Sequence, residues 1–170
     1  MRIAGPRLSS RRSMSGDSPK PEPVDASGFK IAIAAARFNE PLVGALLGRV
    51  RSGLASAGVR DRNVTVVRVP GSGELPLAAR LLVDAEKPDA VVALGVIVRG
   101  GTIHHELIAS AASNGLQNVA LSSRVPVING IIVAESKAQA RARCAGRIDR
   151  GAEFANAAVS MAALRRALTR

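Results

Sequence analysis

The sequence predicts a three-layer α/β sandwich built on a parallel sheet, and three features predict it. Four short runs rich in Ala, Val and Ile alternate along the chain with longer segments of helical spacing. The apolar runs are continuous, as strands covered on both faces should be. Glycine, proline and asparagine gather just after these runs, where α/β folds turn. At 170 residues the chain suits one domain with a sizeable core. That core must be aliphatic, because there is no Trp or Tyr and the only Phe residues are Phe29, Phe38 and Phe154.

Residues 1–28 precede the alternating pattern and read as a disordered, basic, Pro-rich arm. Residues 1–16 hold four Arg and no acid, and SPKPEPVD lacks periodicity. The Arg- and Ser-rich start imitates a transit peptide in composition but lacks an amphipathic helix, and Met14 is an alternative start. KIAIAAA (30–36) is the first strand, and PLVGALLGRVRSGLASAG (41–58) is a helix stopped at Gly58. NVTVVRV (63–69) is a β-branched strand, followed by a helix over 73–86. DAVVALGVIV (89–98) is the longest strand and leads into a helix from about Thr102 into the 110s. VPVINGIIV (125–133) is the fourth strand, and two helices over 135–146 and 150–168 complete the chain.

In such sheets ligands bind beyond the carboxyl ends of the strands, near the point where strand order reverses. Those ends carry ARFNEP, VPGSGELP and VRGGTIHH. Gly100 and Gly101 let the backbone turn sharply, and Thr102 can cap the helix that follows. A helix N-terminus beside glycines suits an anion such as phosphate, although a strand–helix turn needs glycine for geometry alone. Arg99 adds charge there or serves as a packed structural arginine. His104 and His105 are the only histidines; consecutive helical residues point about 100° apart, so one is expected over the anion site and the other in packing. A histidine so placed can move protons near neutral pH. In VPGSGELP, backbone groups of Gly71, Ser72 and Gly73 can read a flat heterocycle, while Glu74 suits a helix start. Phe38 is the one aromatic in these loops, hence the candidate for ring stacking.

Composition narrows the classes further. The net charge of +11 comes mostly from Arg, 20 of 24 basic residues, and suits phosphorylated partners. The composition argues against nucleic acid as the designed partner, because interleaved aromatics and zinc-finger spacing are both missing. No apolar run approaches a membrane span. The lone Cys144 allows no internal disulfide, suits a reducing cytoplasm and reads as an inert helix residue. No metal constellation is spelled out. Two readings remain from the residues alone: an enzyme joining a phosphorylated small molecule to a heterocycle, or a nucleotide-binding module. The second lacks both a G-x-G-x-x-G after the first strand and a GxxxxGK[ST].

Taken together, ARFN, VPGSGELP, ALGVIVRGGTIHHE, PVINGIIV and the late RCAG…RG resemble the 6,7-dimethyl-8-ribityllumazine synthase family of riboflavin biosynthesis, in register from Phe29 to the C-terminus. The resemblance implies a flavodoxin-like sandwich on a four-stranded parallel sheet for residues 29–170. It implies cytoplasmic homopentamers or larger shells, with active sites between subunits and no cofactor. The implied small-molecule substrates are 5-amino-6-(D-ribitylamino)uracil and 3,4-dihydroxy-2-butanone 4-phosphate. By the same resemblance, Phe38 stacks on the pyrimidine; Ser72, Gly73 and Glu74, with the backbone of Val96, Ile97 and Val98, hold the ribitylaminouracil. Gly101, Thr102, Arg143 and Arg150 bind phosphate, His104 is catalytic, and Asn129 reaches the pyrimidine from the neighbouring subunit. Gly73 and Asn129 stand where Phe is usual, Arg150 where Lys is usual, and His105 where an aromatic is common. CAGRIDRG is one residue shorter than the common pattern, which leaves pentamer against shell open. The alternatives are a non-catalytic assembly protein of the same fold and an archaeal-type riboflavin synthase.

Overall fold

The two-residue alternation along each strand decides which layer each side chain joins. A computed structural model describes residues 24–169. It contains β1 (Ile31–Ala36), α1 (Glu40–Ser56), β2 (Val64–Val69), α2 (Leu75–Glu86), β3 (Ala90–Val98), α3 (His104–Ser123), β4 (Val127–Ala134), α4 (Lys137–Cys144) and α5 (Arg150–Leu168). The strands form one parallel sheet in the order β2-β1-β3-β4. Ile31, Ile33 and Ala35 of β1, with Val92, Leu94 and Val96 of β3, face α1, α4 and α5. Ala32 and Ala34, with Val91 and Ala93, face α2 and α3. Both faces of β1 are covered, which is why its sequence is apolar without interruption.

The expected elements agree with these bounds except in length. The third helix runs on through Ser123 rather than ending in the 110s. Gly115, a weak helix former in isolation, is tolerated inside it because a Cβ there would sit 2.8 Å from Pro76, at the start of α2. Of the expected N-terminal arm, residues 1–23 lie outside the described residues. Within residues 24–28, Ala26 is buried in the core, Val24 packs against it, and the Phe29 N–H donates to the Ala26 carbonyl at 3.0 Å. Packing against the core therefore extends a few residues ahead of Phe29.

At the N-terminal end of the sheet, α5 is clamped to the strands. The Arg166 guanidinium donates to both carboxylate oxygens of Asp89, each at 2.6 Å, and to the Gly28 carbonyl at 2.7 Å. It also lies 4.6 Å from the centre of the Phe29 ring. Asp89 accepts a third hydrogen bond from the Lys30 N–H at 2.7 Å, which satisfies a largely buried carboxylate. Hydrogen bonding to Asp89 raises the Arg166 pKa above its ordinary value. Cys144 is fully buried, and desolvation pushes its thiol up, away from the reactive thiolate. No helix among the described residues is long and apolar enough to cross a membrane.

Candidate active site

Strand order reverses between β1 and β3, so the crevice beyond their carboxyl ends is where a ligand is expected. A cleft of ≈650 Å³ opens there. Three loops and the start of α4 build it.

The first loop leaves β1 alongside β2: the Arg37 N–H donates to the Val69 carbonyl at 2.7 Å and the Phe38 N–H to the Pro70 carbonyl at 3.0 Å. Asn39 then takes the left-handed conformation (φ 58°), which asparagine tolerates better than most residues. Its side-chain amide donates to the Val96 carbonyl at 2.8 Å, tying the exit of β1 to β3. Phe38 is left on the rim with 73% of its surface exposed, its ring free to cover a planar ligand.

The second loop is a tight 3₁₀ turn, Ser72–Glu74. The Gly71 N–H donates to the Glu74 carboxylate at 2.8 Å, so Glu74 closes the turn as well as bordering the cleft. Ser72 is buried, and its hydroxyl rests on β3 at Gly95. A Cβ at position 95 would occupy the space of the Ser72 Oγ, so the bare glycine seats the whole turn.

The third loop follows Val96, Ile97 and Val98, which line the cleft with Gly73 and Glu74 opposite. Thr102, expected as the cap of α3, lies one residue earlier than the cap position, Ile103. Its Oγ1 still accepts a long hydrogen bond from the His104 N–H, at 3.4 Å. Gly100 and Thr102 border the cavity, with Gly101 between them in the chain and not itself on the wall.

His104 and His105 both line the cleft, against the expectation that only one would. They begin α3, and the first turn of a helix presents its end to the cavity, so side chains from two sides of the axis border one opening. The His105 side chain is only 11% exposed. Its Nδ1 lies 2.9 Å from the Thr102 carbonyl, which can only accept. The proton of neutral His105 therefore sits on Nδ1, and the ring pins the loop, while His104 is exposed and free to meet a ligand.

Across the cleft mouth, Arg99 at the end of β3 pairs with Glu135 at the end of β4 at 2.8 Å. Hydrogen bonding and then the charge of Arg99 hold the Glu135 carboxyl below its ordinary pKa, and Glu135 raises that of Arg99. Lys137, the first residue of α4, completes the wall.

Besides Gly101, three expected site residues stand off the cleft wall. Asn129 on β4 donates to the Ser113 hydroxyl at 3.0 Å and accepts from the Ile131 N–H at 3.1 Å. Arg143 on α4 donates to the Gln139 carbonyl of its own helix at 3.1 Å, and Arg150 pairs with Glu153 at 2.5 Å. None of the three borders this cleft. Asn39 and Lys137 were not singled out from the sequence; the asparagine ending ARFN was the available signal for the first. A groove of ≈620 Å³ between α1 and α5 is as large, but its charges, Arg49 and Asp149, face each other at 3.7 Å. Among the described residues no group of three or more His, Cys, Asp or Glu side chains is arranged to hold a metal.

The family model for 6,7-dimethyl-8-ribityllumazine synthase matches residues 28–166, which include every residue lining the cleft. The chain belongs to the 6,7-dimethyl-8-ribityllumazine synthase family. A relative named 6,7-dimethyl-8-ribityllumazine synthase, from a Polaromonas species, is 40% identical over 141 residues, covering 83% of this chain and 90% of the relative. In this member of the lumazine synthase family, the four-stranded parallel sheet and its five helices place the junctions after β1, β2 and β3 around one cavity.

Proposed function

We propose that the cleft condenses 5-amino-6-(D-ribitylamino)uracil with 3,4-dihydroxy-2-butanone 4-phosphate, giving 6,7-dimethyl-8-ribityllumazine and phosphate for riboflavin biosynthesis. The observation that carries this reading is the convergence of Phe38, the Ser72–Glu74 turn, the β3 backbone, Thr102 and His104 on one cavity at the switch point. The pyrimidine stacks on Phe38, and Ser72, Gly73 and Glu74, with Val96, Ile97 and Val98, hold its polar edge and ribityl chain. The Val96 carbonyl is already engaged by Asn39, so backbone readout falls chiefly on Ile97 and Val98. The phosphate is received by the loop just ahead of α3, at Thr102 on the cleft wall with Gly101 leaving the backbone beside it open to approach.

The chemistry is imine formation between the 5-amino group and the ketone with loss of water, elimination of phosphate, and ring closure by the ribityl-bearing nitrogen with loss of a second water. Each stage moves a proton, and His104 is the exposed group placed to move it. Holding both reactants together supplies much of the remaining acceleration.

Asn129, Arg143 and Arg150 act on the cleft of an adjacent copy, which makes the working form a homopentamer or larger. Supporting this, β4 is an edge strand with Asn129 exposed on it, and Leu77, Leu81, Ile103 and Leu107 leave apolar surface uncovered on the α2–α3 side. A single unpaired thiol suits the cytoplasm. Product identity tests the reading: both substrates together should yield the lumazine, and lumazine supplied alone should yield no riboflavin. Riboflavin from lumazine alone would overturn it in favour of a riboflavin synthase.

A further inference from the structure

We propose that Lys137 is a phosphate-binding residue, supplying from the same copy a positive charge that holds the phosphate of the four-carbon substrate until it departs. The proposal rests on the condensation above. Phosphate enters and leaves as an anion, so a cation at the cleft wall favours both its binding and its release from carbon.

The charges around the cleft single out this residue. Arg99 is occupied by Glu135 at 2.8 Å. Arg143 does not border the cleft and donates to Gln139 of its own helix. Lys137 lines the same cavity as Gly100, Thr102 and His104, and its ammonium has no carboxylate partner among the described residues. Glu135, its nearest acid in sequence, is the carboxylate that Arg99 already holds.

The backbone beneath Lys137 is well fixed. Val98 and Ala134 are register partners, and the Arg99 N–H donates to the Ala134 carbonyl at 2.9 Å, bringing the end of β4 beside the Arg99–Thr102 loop. Ser136 then caps α4 by accepting from the Gln139 N–H at 3.2 Å, and the Gln139 side chain accepts from the Glu135 N–H at 3.1 Å. A lysine on such a base is a flexible point charge that can follow phosphate from the bound ester to the free ion.

The test compares the intact protein with Lys137→Ala, Lys137→Arg and, as a charge-matched control at the far end of the sheet, Lys30→Ala. Initial rates are measured with each substrate varied, and inorganic phosphate is titrated by calorimetry. Lys137→Ala should raise KM for the butanone phosphate and weaken phosphate binding by about three- to tenfold, because the contact is partly screened by solvent. KM for the pyrimidine should not change, Lys137→Arg should recover most of the loss, and Lys30→Ala should match the parent. An equal rise in both KM values, or unchanged phosphate binding, would overturn the assignment. Failure of the parent to turn over would instead defeat the condensation, and the phosphate titration would still judge Lys137 alone.

Discussion

Gly95→Ala is expected to damage the cleft from beneath. The new Cβ would fall on the Ser72 hydroxyl, with Leu75 Cδ1 at 3.2 Å and Ser72 Cβ at 3.3 Å. Position 95 is held in the sheet by its pairing with Ile131 of β4, so the Ser72–Glu74 turn is the part that must move. Overpacking of this kind costs about 1–3 kcal/mol. A displacement of about 1 Å at the wall could lower kcat/KM for the pyrimidine by about 10²-fold. Adding Ser72→Ala removes the worst contact and leaves only the two near 3.3 Å, which a few tenths of an ångström relieve. The double variant should therefore unfold at a higher urea concentration than Gly95→Ala alone, a coupling that a double-mutant cycle isolates. Parent-like stability and KM in Gly95→Ala would refute the reasoning, as would a double variant no more stable than the single.

Further outcomes are expected at the other named residues. His104→Ala should slow turnover by about 10²–10⁴-fold without abolishing it, because positioning survives; single-turnover rates of the folded variant would show it. Asp89→Ala leaves the Lys30 N–H without its acceptor and the Arg166 guanidinium with only the Gly28 carbonyl, and should destabilise the fold by about 2–4 kcal/mol, read from urea unfolding, with KM values unchanged. Glu135 is held below its ordinary pKa, so its pairing with Arg99 contributes above the unfolded carboxylate range and is lost as pH falls through the lowered folded value. The stability difference between the parent and Glu135→Gln should thus be level at neutral pH and shrink in acid; a difference that grows in acid would contradict the pairing.

The strands were readable because burial on both faces leaves an uninterrupted apolar run, as IAIAAA and AVVALGVIV do. The three junctions were readable because tight turns need particular residues. What escaped was relational. That Gly115 continues α3 depends on Pro76, a residue of another helix. That both histidines border one cavity depends on the first turn of α3 meeting the cleft end-on, which periodicity alone does not convey. Asn39 and Lys137 matter through what lies opposite them, the Val96 carbonyl and the Arg99–Thr102 loop, and neither partner is near in sequence. Asn129, Arg143 and Arg150 carried a reading only through resemblance, and their place beside the cleft of another copy remains part of the proposed assembly.

The most direct test of the proposed chemistry follows lumazine fluorescence and free phosphate together after the purified protein meets both substrates. Lumazine and phosphate should appear in equal amounts and well above the spontaneous rate. A folded protein that gives no acceleration over that background would contradict the assignment of this cleft to lumazine formation.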